Sequence, residues 1–466
     1  KKSSMHTLMA TYDVKDLIGK GAFGTVRAST SRTTGGAYAL KSVRRPEDEE
    51  LRAALVSEIE IQVACDHPNI ARVYEVFENP TWTHVAMEVC KGGDLFSLLQ
   101  ERESLGETEA GLVMRQVLRA VRYLHGVRHV VHRDIKTENL LLRYQGVPLA
   151  DNVVKVIDFG FAEFFTPGKR ELTWVCGTSE YMAPEIGYGP YDEKCDIWSC
   201  GILLYELLTG DYPFSADTPA RVRRLVKVCP LPLEGALWDS ASCEVQELLL
   251  RLCCKDPLDR WSAEEALRAP WFEQMELVSP SCFSRTASPD SPNPSQSIAE
   301  NLRAFSSCSS FQKVVLRVAA RHLDSPTLEQ QRAVFELLDK NGDGQITPEE
   351  VEGGCPELGL APAEATALFR ELDVDGNGAV EYSEFLGAAI SRENLTDRAY
   401  REAFRFCDWD NTGAISAKNI KELTPRTASG YSRFDGHITL AKRGHGHMHE
   451  DLDFDGFVSM LRCSPR

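Results

Sequence analysis

IGKGAFGTV (18–26), YALK (38–41), HRDIKTEN (132–139), VIDFG (156–160) and MAPE (182–185) follow one another in this order, and their joint reading decides the fold of the first half of the chain. In the first segment Gly19, Gly21 and Gly24 lie between strand-forming residues, where the lack of a Cβ lets backbone amides approach phosphate oxygens. A glycine-rich hairpin turn fits that segment equally well when it is taken alone. Lys41 then lies within an apolar strand, and an ammonium there needs a negative partner. Glu58, in the helical stretch LVSEIEIQVAC (55–65), is one candidate, and the phosphates of a nucleotide under the glycine loop are the other.

Outward from these segments the chain changes character twice. Runs such as VVKVIDF (153–159) give way to helical patterns such as IWSCGILLYELLTG (197–210), which predicts a sheet-rich start and a helical remainder. PSCFSRTASPDSPNPSQS (280–297) then sets four prolines among serines and is too polar to hold a core, so residues 273–296 read as a linker. Beyond it, loops beginning at Asp339, Asp373, Asp408 and His445 recur at spacings of 34, 35 and 37 residues.

DKNGDGQITPEE (339–350) puts Asp339, Asn341 and Asp343 at loop positions 1, 3 and 5, Gly344 at 6, the Gln345 carbonyl at 7, Thr347 at 9 and Glu350 at 12. A calcium ion takes about six to eight oxygens, and this spacing wraps them round one point. DVDGNGAVEYSE (373–384) repeats the pattern with Asp373, Asp375, Asn377, Gly378, the Ala379 carbonyl, Glu381 and Glu384. Both read as EF-hand loops. DWDNTGAISAKN (408–419) ends in Asn419, which cannot supply a bidentate carboxylate, so weak binding is expected. HGHMHEDLDFDG (445–456) has histidines where carboxylates belong and is expected not to bind calcium. Zinc or copper at His445, His447 and His449 is a second reading. Position 8 is apolar throughout (Ile346, Val380, Ile415, Leu452), so the degenerate hands are expected to persist as packing partners.

Between linker and loops, SIAENLRAFSSCSSFQKVVLRVAARHL (297–323) carries Leu302, Phe305, Phe311, Val314, Val315 and Val318 among Arg303, Lys313, Arg317 and Arg321. It reads as a basic amphipathic helix of the type an opened EF-hand groove accepts, with an ordinary core helix as the other reading.

Composition narrows the function classes. The chain has 52 Lys and Arg against 69 Asp and Glu, a net −17, and from Pro326 to Arg466 the balance is 15 against 25, a net −10. This disfavours nucleic acid and favours cations. An apolar fraction of 43% excludes disorder overall. Fourteen cysteines without a C-x-x-C pair suggest neither a zinc ribbon nor a disulfide framework and fit reduced thiols in the cytosol. No apolar run approaches the ~18 residues that span a bilayer. The chain opens at Lys1, so membrane anchoring through an earlier segment is undecided, and a monomer is expected.

Taken together, residues 12–272 resemble a protein kinase catalytic domain in their glycine loop, strand lysine, catalytic loop, DFG and APE segments. The resemblance implies an α+β, bilobal protein-kinase fold. An N-terminal extension (1–11) would precede it, and the linker, a junction helix (297–325) and an all-α EF-hand, calmodulin-like domain (326–466) would follow. It implies that Asp134 orients the substrate hydroxyl and accepts its proton, and that Lys136 neutralises the transferring phosphoryl group. Asn139 and Asp158 would hold Mg2+ against ATP, and Lys41 would pair with Glu58. Ile18, Gly19, Lys20, Gly21, Ala22, Phe23, Gly24 and Val26 would cover the nucleotide. Ala39, the gatekeeper Met87, the backbone of Glu88 to Cys90, and Asp94 would complete its site. Asp196 would brace the catalytic loop and Arg260 would pair with Glu185. Asp94, Glu138 and Glu206 would face basic residues upstream of the acceptor in Ser/Thr protein substrates. Trp174 stands where many relatives carry an activating phosphothreonine, so Arg133 is expected to lack a phosphate to bind. The whole order resembles the calcium-dependent protein kinases of plants and protists. It implies a Ser/Thr kinase relieved of autoinhibition when its own hands bind Ca2+ and contact the junction helix.

Overall fold

Strands β1 (Lys2–Ser3), β2 (Tyr12–Lys20), β3 (Gly24–Ser31), β4 (Ala37–Arg44), β5 (Val73–Glu78) and β6 (Trp82–Met87) form one sheet in the order β1-β5-β6-β4-β3-β2. The computed structural model describes residues 2–3, 5–21, 24–273, 294–323, 327–423 and 451–462. It divides into two units, one chiefly within residues 1–280 and the other chiefly within 281–466. Residues 2–11, read from the sequence only as an extension, add β1 parallel to β5 and a short helix α1 (Met5–Thr11). The antiparallel register pairs Val26 with Lys41, Lys41 with Val85 and Ala39 with Met87. Because side chains alternate across a strand, Val26, Ala39, Lys41 and Met87 share one face. Helix α2 (Glu49–Ala64) starts where the Asp48 carboxylate accepts from the Leu51 amide at 3.0 Å, with Glu49 and Glu50 suiting its first turn.

The rest of the first unit is helical: α3 (Leu95–Arg102), α4 (Glu107–Tyr123), α5 (Lys194–Thr209), α6 (Pro219–Val228), α7 (Ala236–Ser240), α8 (Cys243–Leu252) and α9 (Ala263–Leu267). Helix α5 is buried on all sides from Cys195 to Leu208, which its nearly unbroken apolar sequence allows. Two short ribbons carry the loops that matter. β7 (Val130–Val131) pairs with β10 (Glu163–Phe164), and β8 (Leu140–Leu142) pairs with β9 (Val154–Val156). Residues 132–139 are strung between β7 and β8.

In the second unit the junction is two helices, α10 (Pro294–Ser306) and α11 (Ser310–Arg321), rather than the single helix expected over 297–325. The reason is local: the Ser309 side chain accepts from the Gln312 amide while Gln312 bonds back to Ser309, a capping box that starts a new helix. Leu302, Phe305, Phe311, Val315 and Val318 are buried in one core with Phe335, Phe385 and Tyr400. The following helices are α12 (Thr327–Leu338), α13 (Pro348–Leu358), α14 (Pro362–Leu372), α15 (Tyr382–Ala389), α16 (Asp397–Cys407), α17 (Ala417–Leu423) and α18 (Phe454–Arg462). Helix α11 packs against α15 and α16.

Position 8 of the loops does what its apolar residues suggest. Strands β11 (Gln345–Ile346) and β12 (Val380–Glu381) pair Ile346 with Val380. Ile415 and Leu452 exchange backbone hydrogen bonds of 2.8 and 3.0 Å. Most of the expected linker (274–293) and the run containing His445, His447 and His449 lie outside the described residues.

Candidate catalytic site and calcium loops

Lys41 Nζ lies 2.7 Å from Glu58 Oε1 of α2 and 3.1 Å from Asp158 Oδ1. Burial alone would lower the ammonium's pKa, but Glu58 and Asp158 outweigh it and hold the group charged. Burial raises the Asp158 carboxyl, and Lys41 overcomes this to leave it below its ordinary value. The negative partner demanded by a lysine on an apolar strand is therefore supplied twice. The turn between β2 and β3 is closed by Gly21 N donating to Gly24 O at 3.0 Å, with Ile18 exposed and Val26 half-buried, while Ala22 and Phe23 lie outside the described residues.

The catalytic loop converges on Asp134, which is 6% exposed. Its Oδ2 accepts from Asn139 Nδ2 at 2.9 Å and lies 3.0 Å from Lys136 Nζ. Its Oδ1 accepts from the Thr178 amide at 3.1 Å and the Thr178 hydroxyl at 2.8 Å. Thr178 is absent from the residues picked out by sequence. Its only linear signal is a hydroxyl shortly before MAPE (182–185). Asp196 accepts from the His132 and Arg133 amides at 2.8 and 2.7 Å and lies 2.9 Å from His125. That cradle holds Arg133 in a left-handed backbone conformation, φ 65°. Arg260 forms a two-pronged pair with Glu185 at 2.7 and 2.9 Å.

Arg133 is not left without a counter-charge. Its Nη1 lies 2.7 Å from Glu163 of β10, its Nε donates to Phe161 O at 2.6 Å, and its guanidinium sits 5.6 Å from the Trp174 ring centroid. The Tyr191 hydroxyl donates to Trp174 O at 2.5 Å. Trp174 thus faces the arginine with a π surface.

The expected hinge residues also gain definition. Glu88 donates its amide to Arg72 O at 2.8 Å, and its carboxylate is buried against Lys155 at 3.0 Å and against Arg143. Burial would raise that carboxyl, yet Lys155, Arg143 and Arg72 bring it down to about 2. Met87 is buried, and burial pushes the Cys90 thiol up to about 12. Of the three acids expected to face substrate, Glu138 is exposed, while Asp94 caps α3 through a 2.6 Å bond from the Ser97 amide. Glu206, by contrast, is 4% exposed and accepts from Thr137 and Tyr181. Burial raises its carboxyl to about 7.

In the second unit, ligand atoms of Asp373, Asp375 and Glu384 lie within 4.8 Å of one another, the one such acidic trio among the described residues. Gly378 takes φ 91°, which lets Asp373 accept amide bonds from Gly376 at 2.8 Å and Gly378 at 3.0 Å. Asn377 Oδ1 accepts from the Ala379 amide at 2.9 Å. Glu384 is fully buried and accepts from the Val374 and Glu381 amides at 3.1 and 3.0 Å. In loop one, Asp339 and Glu350 are buried, Asn341 Nδ2 donates to Asp343 Oδ2 at 2.9 Å, and Glu350 accepts from Thr347 N at 3.0 Å next to Gln345 of β11. In loop three, Asn419 Oδ1 takes the same amide role towards Ser416 at 2.7 Å, while its Nδ2 donates to Asp410 Oδ1 at 3.3 Å.

A kinase-type catalytic loop followed by paired EF-hands defines the class. The family model for the protein kinase domain matches residues 12–272, and that for the EF-hand domain pair matches residues 328–390. The chain is 32% identical over 408 residues to calcium-dependent protein kinase 3 of Plasmodium yoelii yoelii, across 87% of this chain and 73% of that protein. It is 32% identical over 425 residues to calcium-dependent protein kinase 20 of Oryza sativa subsp. japonica, across 89% and 74% respectively. With calcium-dependent protein kinase 22 of Arabidopsis thaliana the identity is 32% over 479 aligned positions, across 97% and 90%. The chain belongs to the calcium-dependent protein kinase family. It is a serine/threonine protein kinase that uses ATP and Mg2+ and carries calcium-binding EF-hands. No helix among the described residues is long and apolar enough to cross a membrane.

Proposed function

We propose that this chain transfers the ATP γ-phosphoryl group to Ser and Thr hydroxyls of proteins carrying upstream basic residues, and that calcium at its own hands relieves an autoinhibited state. The observation that carries the chemistry is the convergence of Asn139, Lys136 and Thr178 on Asp134, beside Lys41 held between Glu58 and Asp158. The donor set suits the expected groups. Asn139 commits its amide nitrogen to Asp134, which leaves its amide oxygen, with the Asp158 carboxylate, as hard-oxygen ligands for Mg2+. When bound, Mg2+ and ATP supply the electrophilic phosphorus and most of the charge neutralisation.

The protein's part is positioning and proton handling. Hydrogen bonds on both Asp134 oxygens fix the carboxylate plane, and the proton of the substrate hydroxyl passes to that carboxylate. Lys136, 3.0 Å from Asp134, balances charge developing on the transferring group. Lys41 fixes the nucleotide phosphates, while backbone groups of Glu88 and Cys90 meet adenine, with Glu88 anchored by Lys155. Glu138 and Asp94 are the acids that support recognition of an upstream Arg or Lys.

Regulation needs magnitude. Moving a two-state balance from 1:99 to 99:1 takes about 10⁴ in differential affinity, which two sites of about 100-fold each supply. Loops one and two carry it in this reading. The test is peptide phosphorylation by the purified chain across a calcium titration. Asp134→Asn should abolish turnover, and Glu350→Gln with Glu384→Gln should abolish stimulation. Turnover surviving the first change would sink the chemistry, and equal rates in chelator and micromolar calcium would sink the regulation.

A further inference from the structure

We infer that Arg317 of the junction helix α11 is a built-in competitor for the calcium site of loop two, so that filling that loop and releasing α11 are one equilibrium. The inference rests on the reading of this chain as calcium-regulated. Arg317 Nη2 lies 2.6 Å from Glu381 Oε2, and Nη1 lies 3.1 Å from Glu384 Oε1 and 3.6 Å from Asp375 Oδ2. Its Nε donates to Ser383 Oγ at 2.8 Å. These acids stand at loop positions 3, 9 and 12, and the guanidinium's planar fork spans all three.

The residues fit the ion. Asp373, Asp375 and Glu384 gather within 4.8 Å, and Glu384 occupies the position that gives both oxygens to a calcium ion. Glu384 Oε1 cannot face a cation and Arg317 to full advantage at once. A loop with four carboxylates (Asp373, Asp375, Glu381, Glu384) also loses a quarter of its charge to the arginine, and ligand charge count sets EF-hand affinity.

The backbone transmits the competition. A Cβ on Gly387 of α15 would lie 2.8 Å from both Arg317 Cα and Arg317 N, so α11 reaches loop two only because that residue has no side chain. Lys313, one turn earlier, bonds to Glu371 O at 3.2 Å at the end of α14, immediately before the loop. Linkage is reciprocal: whatever draws Arg317 off these carboxylates loosens α11, and whatever docks α11 weakens the loop for calcium.

The experiment uses the full chain in a Glu350→Gln background, so that loop two is read apart from loop one. Calcium binding is measured by titration calorimetry, and exposure of α11 by amide hydrogen exchange in chelator. Arg317→Met should tighten loop-two binding about tenfold and give α11 in chelator the exchange that the parent shows only with calcium. Arg317→Lys, which keeps the charge without the fork, should fall between and covers the case in which the methionine variant folds poorly. Arg303→Met, on α10 and bonded to Glu364 outside the loop, should shift affinity less than twofold. Unchanged or weakened calcium affinity in both arginine variants would overturn the inference, the latter making Arg317 a support of the ligands. Both readouts are independent of turnover. A kinase indifferent to calcium would therefore defeat the regulatory reading and leave the competition itself measurable.

Discussion

Arg133 in the catalytic unit and the acids of loop two in the calcium unit present the same electrostatic problem with opposite signs. Arg133, Glu381 and Glu384 are buried charges that need a partner of opposite sign. Arg133 is answered by Glu163 at 2.7 Å and the Trp174 ring at 5.6 Å. The loop-two acids are answered by Arg317 at 2.6 and 3.1 Å. The difference lies in what can replace the answer. Glu163 sits on β10, tied to β7 directly before the catalytic loop, and Trp174 is held through Tyr191, so the first solution is built from one local stretch of fold. Arg317 occupies atoms that a dication claims, so the second is exchangeable. Arg133 thus keeps a half-exposed carboxylate partner within its own unit, whereas the loop-two acids share theirs with the junction helix.

The largest effect that would break this contrast is in the catalytic unit. Glu163→Ala combined with Trp174→Ala leaves the buried Arg133 uncompensated and should lower kcat by about ten- to a hundredfold, measured with saturating peptide. Phosphatase treatment of the parent chain should leave kcat unchanged. A phosphatase-sensitive parent would make the pocket an ordinary phosphate receptor. Next, Asn419→Glu replaces the amide that donates to Asp410 with a carboxylate, and calorimetry should then count one more calcium ion per chain. Trp174→Phe keeps a ring over Arg133 and should cost only about two- to fivefold in activity, in line with about 0.5–1 kcal/mol for such a contact. Gly387→Ala forces α11 off α15 and should lower thermal stability by about 1–3 kcal/mol while sharpening loop-two binding.

The last effect concerns pH and is read on stability rather than on activity. Burial raises the Glu206 carboxyl to about 7, so the fold favours its protonated form. That contribution is complete below the ordinary carboxylate value of 4.5 and is lost as pH rises through about 7. Relative to Glu206→Gln, the parent should therefore lose about 1–2 kcal/mol between pH 5 and pH 8 in denaturant titrations.

Legibility in the sequence followed chemical type. Lys41, Asp134, Asn139 and Asp158 were recognisable because each residue type is demanded by phosphoryl transfer, and the structure brings Lys41 and Asp158 together across most of the first unit. The two calcium loops were readable from residue type and spacing, and the structure gathers the acids of loop two. Thr178, Glu163 and Arg317 were not, because each acts through a partner chosen by tertiary register rather than by neighbours in sequence. The break at Ser309 was written locally, as a serine followed at the third position by Gln312, but the apolar period running through it masked the cap. The burial of Glu206 was not legible, because the Tyr181 and Thr137 hydroxyls that offset it are brought in by tertiary structure.

The Lys41–Glu58 contact at 2.7 Å has a consequence for how such an enzyme is kept silent. Among the described residues that pair is made and Asp134 is clamped. Calcium regulation of the kind proposed above then acts on access, and it should register in the KM for peptide or nucleotide while the turnover of a filled enzyme stays nearly constant.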